Sequence, residues 1–199
     1  MLYLASKSPR RQELLNQIAE QFELVAADVN EIALADETPK QFVLRMAIEK
    51  AQAGLKNVVT INSNDWVLGS DTIVVNDDVI LGKPKEFNDC QQMLSALSDK
   101  KHQVMTAIAL MNNDTVLSEV VITDVMFRAI DEDEIQRYWQ SGEPQDKAGS
   151  YGIQGLAGKF VKRIEGSYSS VVGLPLFETE QLLLSAKARS KNLTNKGAK

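Results

Sequence analysis

The segment from Ser6 to Arg11 places hydroxyl groups and two arginines directly after an apolar run. Pro9 can open a helix there, with Ser8 as its N-cap. A helix N-terminus has free N–H groups and a partial positive charge, and arginines bind phosphates through paired donors. The segment is therefore a candidate anion site, and the alternative is a capped helix with surface arginines. It is not a P-loop, because the Gly-x4-Gly-Lys pattern is absent.

Two lysines occupy unusual positions. Lys50 follows Val43 by seven residues and Met46 by four, which places it on the apolar face of its helix. Its side chain must either extend along that face to solvent or reach into a cleft. Lys83 precedes Pro84, and proline restricts the preceding backbone to an extended form. Lys83 could therefore be held toward a phosphate, or it could be an ordinary turn lysine.

Two carboxylates could bind a metal or accept a proton. Asp71 follows the apolar run Trp66–Leu68, and α/β proteins bind ligands at the C-terminal ends of strands. It could be a metal ligand or a general base, or simply an Asp in a turn. Glu31 lies in a polar, acidic loop at 28–37 and is a candidate second metal carboxylate. The alternative for Glu31 is a solvated loop glutamate.

A glycine-rich segment from Gly149 to Gly155 carries Gln154. An amide both donates and accepts hydrogen bonds, so Gln154 could contact the edge of a nucleobase, and the alternative is a mobile loop without a ligand.

The chain has one histidine, His102, and one cysteine, Cys90. That count excludes a Cys-x-x-Cys or His-rich zinc site, and the Gly-x-Ser-x-Gly elbow of serine hydrolases is absent.

Strand and helix patterns alternate along the chain, which predicts an α/β fold with a mixed sheet. Hairpins are expected around residues 76–78 and 112–114. Helix starts are expected at Thr38, where Gln41 completes a capping box, and near Asn88, where Gln91 would do the same. The last helix should begin near Pro175 and bury Phe177, Leu182 and Leu183.

The chain has 199 residues and a net charge of −5. Residues 187–199 hold five basic residues and no acidic one, which leaves 17 basic against 27 acidic residues, or −10, for the rest. An acidic body is a poor non-specific binder of nucleic acid. No apolar run approaches the roughly 20 residues of a membrane span, and the start does not resemble a signal peptide. With one cysteine no disulfide can form within the chain, so we expect a cytoplasmic protein.

The ordered series of motifs resembles the Maf family of nucleotide pyrophosphatases from residue 2 to about residue 185. The matching text comprises Leu4-Ala5-Ser6-x-Ser8-Pro9-Arg10-Arg11-x-Glu13-Leu14-Leu15, Glu49-Lys50-Ala51, Gly69-Ser70-Asp71-Thr72, Gly82-Lys83-Pro84, Asp146-Lys147-Ala148-Gly149-x-Tyr151-x-Ile153-Gln154-Gly155, Gly166-Ser167-Tyr168 and Val171-Val172-Gly173-Leu174-Pro175. So ordered a series is more specific than any of its members.

The resemblance implies a fold similar to that of inosine triphosphate pyrophosphatases. That fold has a central mixed β-sheet flanked by helices and two lobes around a cleft, and it is often a homodimer. We therefore expect one such domain at 1–186 and a disordered basic tail at 187–199. The implied reaction is hydrolysis between the α and β phosphates of a nucleoside triphosphate, assisted by a divalent Mg, Mn or Co ion.

The resemblance also implies roles for individual residues. Asp71 matches the proton acceptor, and Lys50 and Lys83 match charged residues of the catalytic cleft. Positions that bind substrate are Ser8, Arg10, Arg11, Thr72 and Gln154, and those that bind the metal are Glu31 and Asp71. The segment from Asp146 to Gly155 looks like the branch acting on dTTP and UTP. Lys7 and Ser70 depart from the family pattern, where glycine and alanine are frequent.

Two other functions remain open at this point. A non-enzymatic nucleotide sensor that regulates septation or cell division would keep Arg10, Arg11 and Lys83 but would have little use for Asp71 as a base. A nucleic-acid-binding regulator is disfavoured by the acidic body, which leaves only the tail for such contacts. We therefore expect a nucleoside triphosphate substrate and neither a nucleic acid nor a membrane partner.

Overall fold

A seven-stranded mixed sheet forms the centre of the protein, which confirms the predicted fold class. The computed structural model describes residues 1–19, 21–60, 62 and 64–196, and it describes side chains as far as Arg189. Six strands follow the order β2-β1-β3-β5-β6-β7, and β4 pairs with β3. The strands are β1 (Leu2–Ala5), β2 (Glu23–Leu24), β3 (Trp66–Asn76), β4 (Val79–Leu81), β5 (Lys101–Met111), β6 (Val116–Phe127) and β7 (Val161–Glu165). Both predicted hairpins are present, as β3–β4 and β5–β6.

One edge of β3 is shared between two short partners. β5 pairs along the other edge from Val67 to Val75. On the shared edge, parallel β1 ends opposite Gly69, and antiparallel β4 ends opposite Val74. Among the described residues, no strand pairs with positions 70–73 on that edge. Asp71 therefore lies in the middle of β3, beside the end of β1, and our placement of it just past a strand was wrong.

One face of the sheet is covered by a single long helix. The helices are α1 (Pro9–Leu15), α2 (Pro39–Asn57), α3 (Phe87–Leu97), α4 (Glu132–Gln140), α5 (Tyr168–Val172) and α6 (Leu176–Lys196). The apolar face of α2 packs on alternate residues of β3 and β5, such as Ile73 and Ala107. The predicted capping box is present, with both reciprocal bonds between Thr38 and Gln41. This start fixes the helix that carries Lys50.

The opposite face of the sheet holds two separate apolar clusters. One packs Leu4 and Leu68 against α1, α5 and α6, and the other packs Val104 and Phe127 against α3 and α4. Between them, the same face of β3 and β5 carries hydroxyl side chains at Ser70, Thr72 and Thr106. A polar strip therefore divides the apolar packing in the middle of the sheet.

Two predictions about helices were wrong. α3 begins at Phe87 with Glu86 at its N-cap and no capping bond from a side chain, rather than with a capping box at Asn88. Phe177 is 69% exposed instead of buried. Thr179, Leu183 and Ala186 form the inner stripe of α6, and Phe177 lies two residues, or about 200° of helix rotation, from the first of them.

The C-terminal part of the chain is helical as far as it is described. α6 continues through Lys196, and residues 197–199 of the predicted tail lie outside the described residues. The division into a domain at 1–186 and a disordered tail stays a prediction. Within the described residues, no helix combines the length and the apolar character that crossing a membrane requires.

Candidate active site

A cleft of about 690 Å³ lies where β1 ends beside β3 and the polar strip reaches the surface. Its walls come from the segment after β1, from α2, from the loop before α2 and from the segment around residues 143–155. The cleft brings together all nine candidate site residues from the sequence: Ser8, Arg10, Arg11, Glu31, Lys50, Asp71, Thr72, Lys83 and Gln154.

Lys50 joins the two candidate carboxylates. Its Nζ lies 2.6 Å from Oδ1 of Asp71 and 2.6 Å from Oε1 of Glu31. Lys50 and Asp71 are both buried, while the Glu31 side chain is half-exposed. Lys50 therefore reaches into the cleft and does not extend to solvent. Two carboxylates around one ammonium form the charged centre of the site.

The main chains of α2 and β3 set the distance between Lys50 and Asp71. A Cβ atom built on Gly69 would overlap the carbonyl oxygen of Ala47 and would lie 2.5 Å from the amide nitrogen of Ala51. Only glycine permits this approach of helix to strand. Since Ala51 adjoins Lys50 and Gly69 is two residues before Asp71 on the same face, the close contact brings the two charged side chains within reach.

Positive charge around Glu31 keeps its carboxyl group ionised. Burial favours the protonated form, but the hydrogen bond and charge of Lys50, with the charges of Lys83 and Arg11, outweigh it and lower the pKa of Glu31. Lys83 thus lies close enough to act on the carboxylate centre, although it lies on another segment of the chain. The carboxylate of Glu31 therefore lies within reach of three cations, Lys50, Lys83 and Arg11.

Arg11 is tied into the polar strip by three hydrogen bonds. It donates to Ser6 Oγ at 3.3 Å, to Thr72 Oγ1 at 3.1 Å and to the Gly173 carbonyl oxygen at 2.9 Å. Burial lowers the pKa of Arg11, the Asp71 and Glu31 charges oppose this, and the Arg10 charge adds to it. Because the guanidinium is anchored on both sides, its remaining donors are held in a fixed direction at the cleft wall.

Thr72 and Ser70 belong to the same hydrogen-bonded network. Thr72 Oγ1 lies 3.0 Å from Thr106 Oγ1, which donates to the Ser170 carbonyl oxygen at 2.7 Å. Ser70 donates to the Gly173 carbonyl oxygen at 3.2 Å. Ser70, at a position where alanine is frequent in the family, therefore adds a hydrogen bond between β3 and the segment after α5.

The segment that follows β1 leaves its hydroxyl and cationic groups at the cleft. Ser8 stands at the N-cap of α1 but makes no side-chain capping bond, and its backbone N–H donates to Ser6 Oγ at 3.2 Å. Lys7 Nζ lies 2.9 Å from Asp28 Oδ1, and both side chains are exposed. Lys7, which departs from the family pattern, therefore pairs with the loop that leads to Glu31.

The two carboxylates fit a small divalent cation. Among the residues that the structure describes, no group of three or more His, Cys, Asp or Glu side chains is arranged to hold a metal. Mg²⁺ commonly takes one or two carboxylates and completes its shell with water and substrate phosphates. Lys50 already places a positive charge between Asp71 and Glu31 and contacts one oxygen of each. The donors therefore suit such an ion.

Several residues that support the site were missed in the sequence. Tyr151 OH lies 2.8 Å from Nε2 of the buried His102, and the Glu143 side chain accepts hydrogen bonds from the segment that carries Gln154. Local sequence patterns indicate neither contact, because Leu156 is 13 residues from Glu143 and Tyr151 is 49 residues from His102.

Known proteins resemble this chain along nearly its whole length. The dTTP/UTP pyrophosphatase of Vibrio parahaemolyticus is 56% identical over 182 residues, which cover 92% of this chain and 95% of that protein. Proteins of the same name from Photobacterium profundum and Vibrio cholerae are 55% and 54% identical, again over 92% of this chain and 94% and 96% of theirs. The solved structure of the Staphylococcus aureus Ham1 protein matches with a TM-score of 0.45 and 16% identity, over 63% of this chain and 71% of that one.

The Maf-like protein family model matches residues 1–186, which include every residue of the cleft described above. With relatives more than half identical over most of both chains, this match establishes that the protein belongs to the Maf-like family.

Proposed function

We propose that this protein hydrolyses the α–β phosphoanhydride of dTTP and UTP, releasing the nucleoside monophosphate and pyrophosphate. The bridge from Lys50 to Asp71 and Glu31, beside the arginines of the Ser6–Arg11 segment, carries this proposal. It places a carboxylate base next to a cluster of phosphate-binding cations. The names of the relatives from Vibrio and Photobacterium support the choice of substrates.

Asp71 is the residue that we assign to proton transfer. Its carboxylate is buried and is held through Oδ1 by Lys50, so its orientation is defined before substrate binds. In the reaction it accepts a proton from the attacking water, whose oxygen bonds to phosphorus while the α–β bridge breaks and pyrophosphate leaves. Phosphoryl transfer depends mainly on positioning and charge stabilisation, which Arg10, Arg11 and Lys83 supply at the cleft wall.

The proposal includes a divalent cation, either Mg, Mn or Co, held by Asp71 and Glu31. When bound, such an ion neutralises phosphate charge and polarises the anhydride. Lys50, which contacts both carboxylates, holds them facing each other. Glu31 lies in a loop and is half-exposed, so it is free to adjust to an ion as substrate enters.

Replacing Asp71 with Asn tests the assignment of the base. Asn keeps the shape but cannot accept the proton, so we expect pyrophosphate release from UTP to fall by about a thousandfold or more while UTP still binds. Asp124→Asn is the matched control, because Asp124 pairs with Lys101 at 2.8 Å outside the cleft and should leave turnover unchanged. Asp71→Asn with near wild-type turnover would remove Asp71 as the base.

The wild-type protein should be assayed against a panel of canonical and modified triphosphates with Mg, Mn or Co. Release from dTTP and UTP in preference to purine nucleotides is the expected result. Tight nucleotide binding without release from any of them would instead point to a non-enzymatic regulator of septation or cell division. Chelation of the metal with EDTA should stop release, and its persistence would exclude the metal from the proposal.

We further propose that the protein acts in the cytoplasm as a homodimer and binds neither nucleic acid nor membrane. The acidic balance of the chain supports the exclusion of nucleic acid, and its single, buried cysteine supports the cytoplasm. The homodimer is what the resemblance to the family implies. Light scattering at micromolar concentration would measure the mass, and a mass of one chain would contradict the dimer.

A further inference from the structure

We propose that Glu143 is a positioning residue that fixes the segment 152–157, and with it Gln154, at one end of the cleft. This inference rests on the proposed function, because the contact between Gln154 and the base is part of it. Glu143 opens the 3-10 helix Glu143–Asp146 and lines the cleft, yet it contributes no group to the charged centre around Lys50.

The Glu143 carboxylate accepts hydrogen bonds from three donors. Oε2 accepts from the backbone N–H of Leu156 at 2.7 Å, and Oε1 accepts from Tyr138 OH at 2.8 Å and from the backbone N–H of Ala157 at 3.4 Å. Leu156 and Ala157 are the first residues of a 3-10 helix at Leu156–Phe160, whose N–H groups otherwise lack partners in the turn. The carboxylate therefore holds the residues that directly follow Gln154.

The two glycines of the segment lie close against the side chains of Glu143 and Lys147. A Cβ atom on Gly155 would overlap the Glu143 carboxylate, and one on Gly152 would lie 2.9 Å from Lys147 Cε. The Gly152 backbone N–H also donates to Tyr138 OH at 3.4 Å. Gln154 is exposed between these two glycines, so its backbone is held on both sides while its side chain remains in the cleft.

Glu143 is a carboxylate in a cleft that we propose binds a polyphosphate, so its position there needs a physical explanation. Repulsion of the substrate would be costly if the Glu143 charge faced the cleft freely. The three donors instead take up that charge, and Tyr138 remains a donor because burial and the bond to Glu143 raise its pKa. Lys147 Nζ donates to the Glu143 carbonyl oxygen at 3.3 Å, while its charge is paired with the Asp146 carboxylate at 2.5 Å. The carboxylate thus serves the segment rather than the phosphates.

The test compares Glu143→Ala, Glu143→Gln and Tyr138→Phe with the control Glu134→Ala. Glu134 is a similar carboxylate that bonds Arg128 at 2.7 and 2.8 Å outside the cleft. In Glu143→Ala we expect the KM for UTP to rise about tenfold, kcat at saturation to stay within about threefold, and the preference for UTP over GTP to shrink. Glu143→Gln and Tyr138→Phe keep some of the bonds and should fall between Glu143→Ala and wild type.

Hydrogen exchange supplies a readout that does not depend on turnover. The amides of Leu156 and Ala157 should exchange faster in Glu143→Ala but not in Glu134→Ala. Unchanged exchange and unchanged KM in Glu143→Ala, with an active wild-type enzyme, would overturn the positioning role alone. A lower kcat at unchanged KM would also overturn it, by making Glu143 part of the chemistry. If wild-type protein released no pyrophosphate, the proposed function would fail, and the exchange rates would still decide whether Glu143 fixes the segment.

Discussion

At the scale of single residues, the site depends on side chains whose charges are matched in pairs or small groups. Lys50 would be costly to bury alone, because an unpaired ammonium loses its hydration. Asp71 and Glu31 compensate for that loss, because each has a carboxylate oxygen 2.6 Å from Nζ of Lys50. Removing one member leaves the others uncompensated, so each substitution tests a network rather than a single contact.

His102 is the residue whose titration the structure defines most clearly. Burial lowers its pKa to about 4, against a weaker opposing effect of Asp124, and Nε2 faces Tyr151 OH. Below about pH 6.5 the unfolded chain binds a proton that the folded protein refuses. The free energy of unfolding should therefore fall between about pH 6.5 and 4, by about 3 kcal/mol from this group.

The single histidine makes this measurable by NMR. One imidazole Cε1 resonance should titrate near pH 4 in the folded protein, and urea unfolding should show the loss of stability over the same range. His102→Gln should have a shallower pH dependence, because it removes the titrating group. A midpoint near 6.5 in the folded protein would contradict the burial of His102.

Residue types in the site were largely predictable, but their pairings were not. The spacing on α2 showed that Lys50 stood on an apolar face, which left two alternatives for its direction. The structure decides between them because Asp71 lies in the middle of β3, facing α2, and this position depends on strand pairing far along the chain. Glu143 went unnoticed for the same reason, since the two backbone N–H groups that it binds are 13 and 14 residues away.

At the scale of elements, the capping box of α2 was predictable because it is local. Thr38 accepts from the Gln41 backbone, and Gln41 accepts in return. The failed prediction at α3 shows the limit of such patterns, because Asn88 and Gln91, which have a similar capping pattern, lie inside the helix. A capping pattern fixes a helix start only when the preceding chain leaves the cap extended.

Thr38→Ala should separate the stability of α2 from the chemistry of the cleft. We expect a loss of about 1 kcal/mol and a fall in Tm of about 2–4 °C, because one backbone N–H of the first turn loses its acceptor. Turnover at 25 °C should not change, since Thr38 is exposed and lies outside the cleft.

Thr38→Ser, which keeps the hydroxyl, is the control and should retain most of the stability. Calorimetry and a pyrophosphate assay on the same samples would measure both effects. A large fall in kcat for Thr38→Ala would show that the start of α2 influences the distance between Lys50 and Asp71.

At the scale of the whole molecule, an acidic chain surrounds a cleft with several cations. The net charge is −5, whereas the cleft is lined by six basic and five acidic residues. The basic residues are Lys7, Arg10, Arg11, Lys50, Lys83 and Lys147, and the acidic ones are Asp28, Glu31, Asp71, Glu143 and Asp146. A polyanionic substrate is therefore attracted locally and repelled elsewhere, which favours approach to the cleft over non-specific contact.

This distribution predicts a dependence on salt. Raising NaCl from about 0.05 to 0.5 M should increase the KM for UTP several-fold, because screening shortens the range of the attraction. The value of kcat at saturation should change less, since the buried pairs are screened weakly. Steady-state kinetics at constant excess of divalent metal would measure this, and a KM that does not respond to salt would contradict it. Sucrose at matched viscosity is the control.

The overall fold class was predictable from alternating strand and helix patterns, while the sharing of one edge of β3 was not. That edge depends on β1 and β4 each being short, and the sequence of β3 carries no mark of where one partner ends. The exposure of Phe177 was not predictable either, because the rotation of α6 about its axis is set by its packing on the sheet.

The close contact at Gly69 has a consequence for engineering the substrate range. Because main-chain atoms of α2 and β3 set the spacing of Lys50 and Asp71, side chains elsewhere in the cleft can be exchanged without moving that pair. The segment 152–157 belongs to a different wall and has its own support at Glu143. On the proposed role of Gln154, libraries restricted to that wall should vary which nucleotide is accepted while the spacing of Lys50 and Asp71 stays constant.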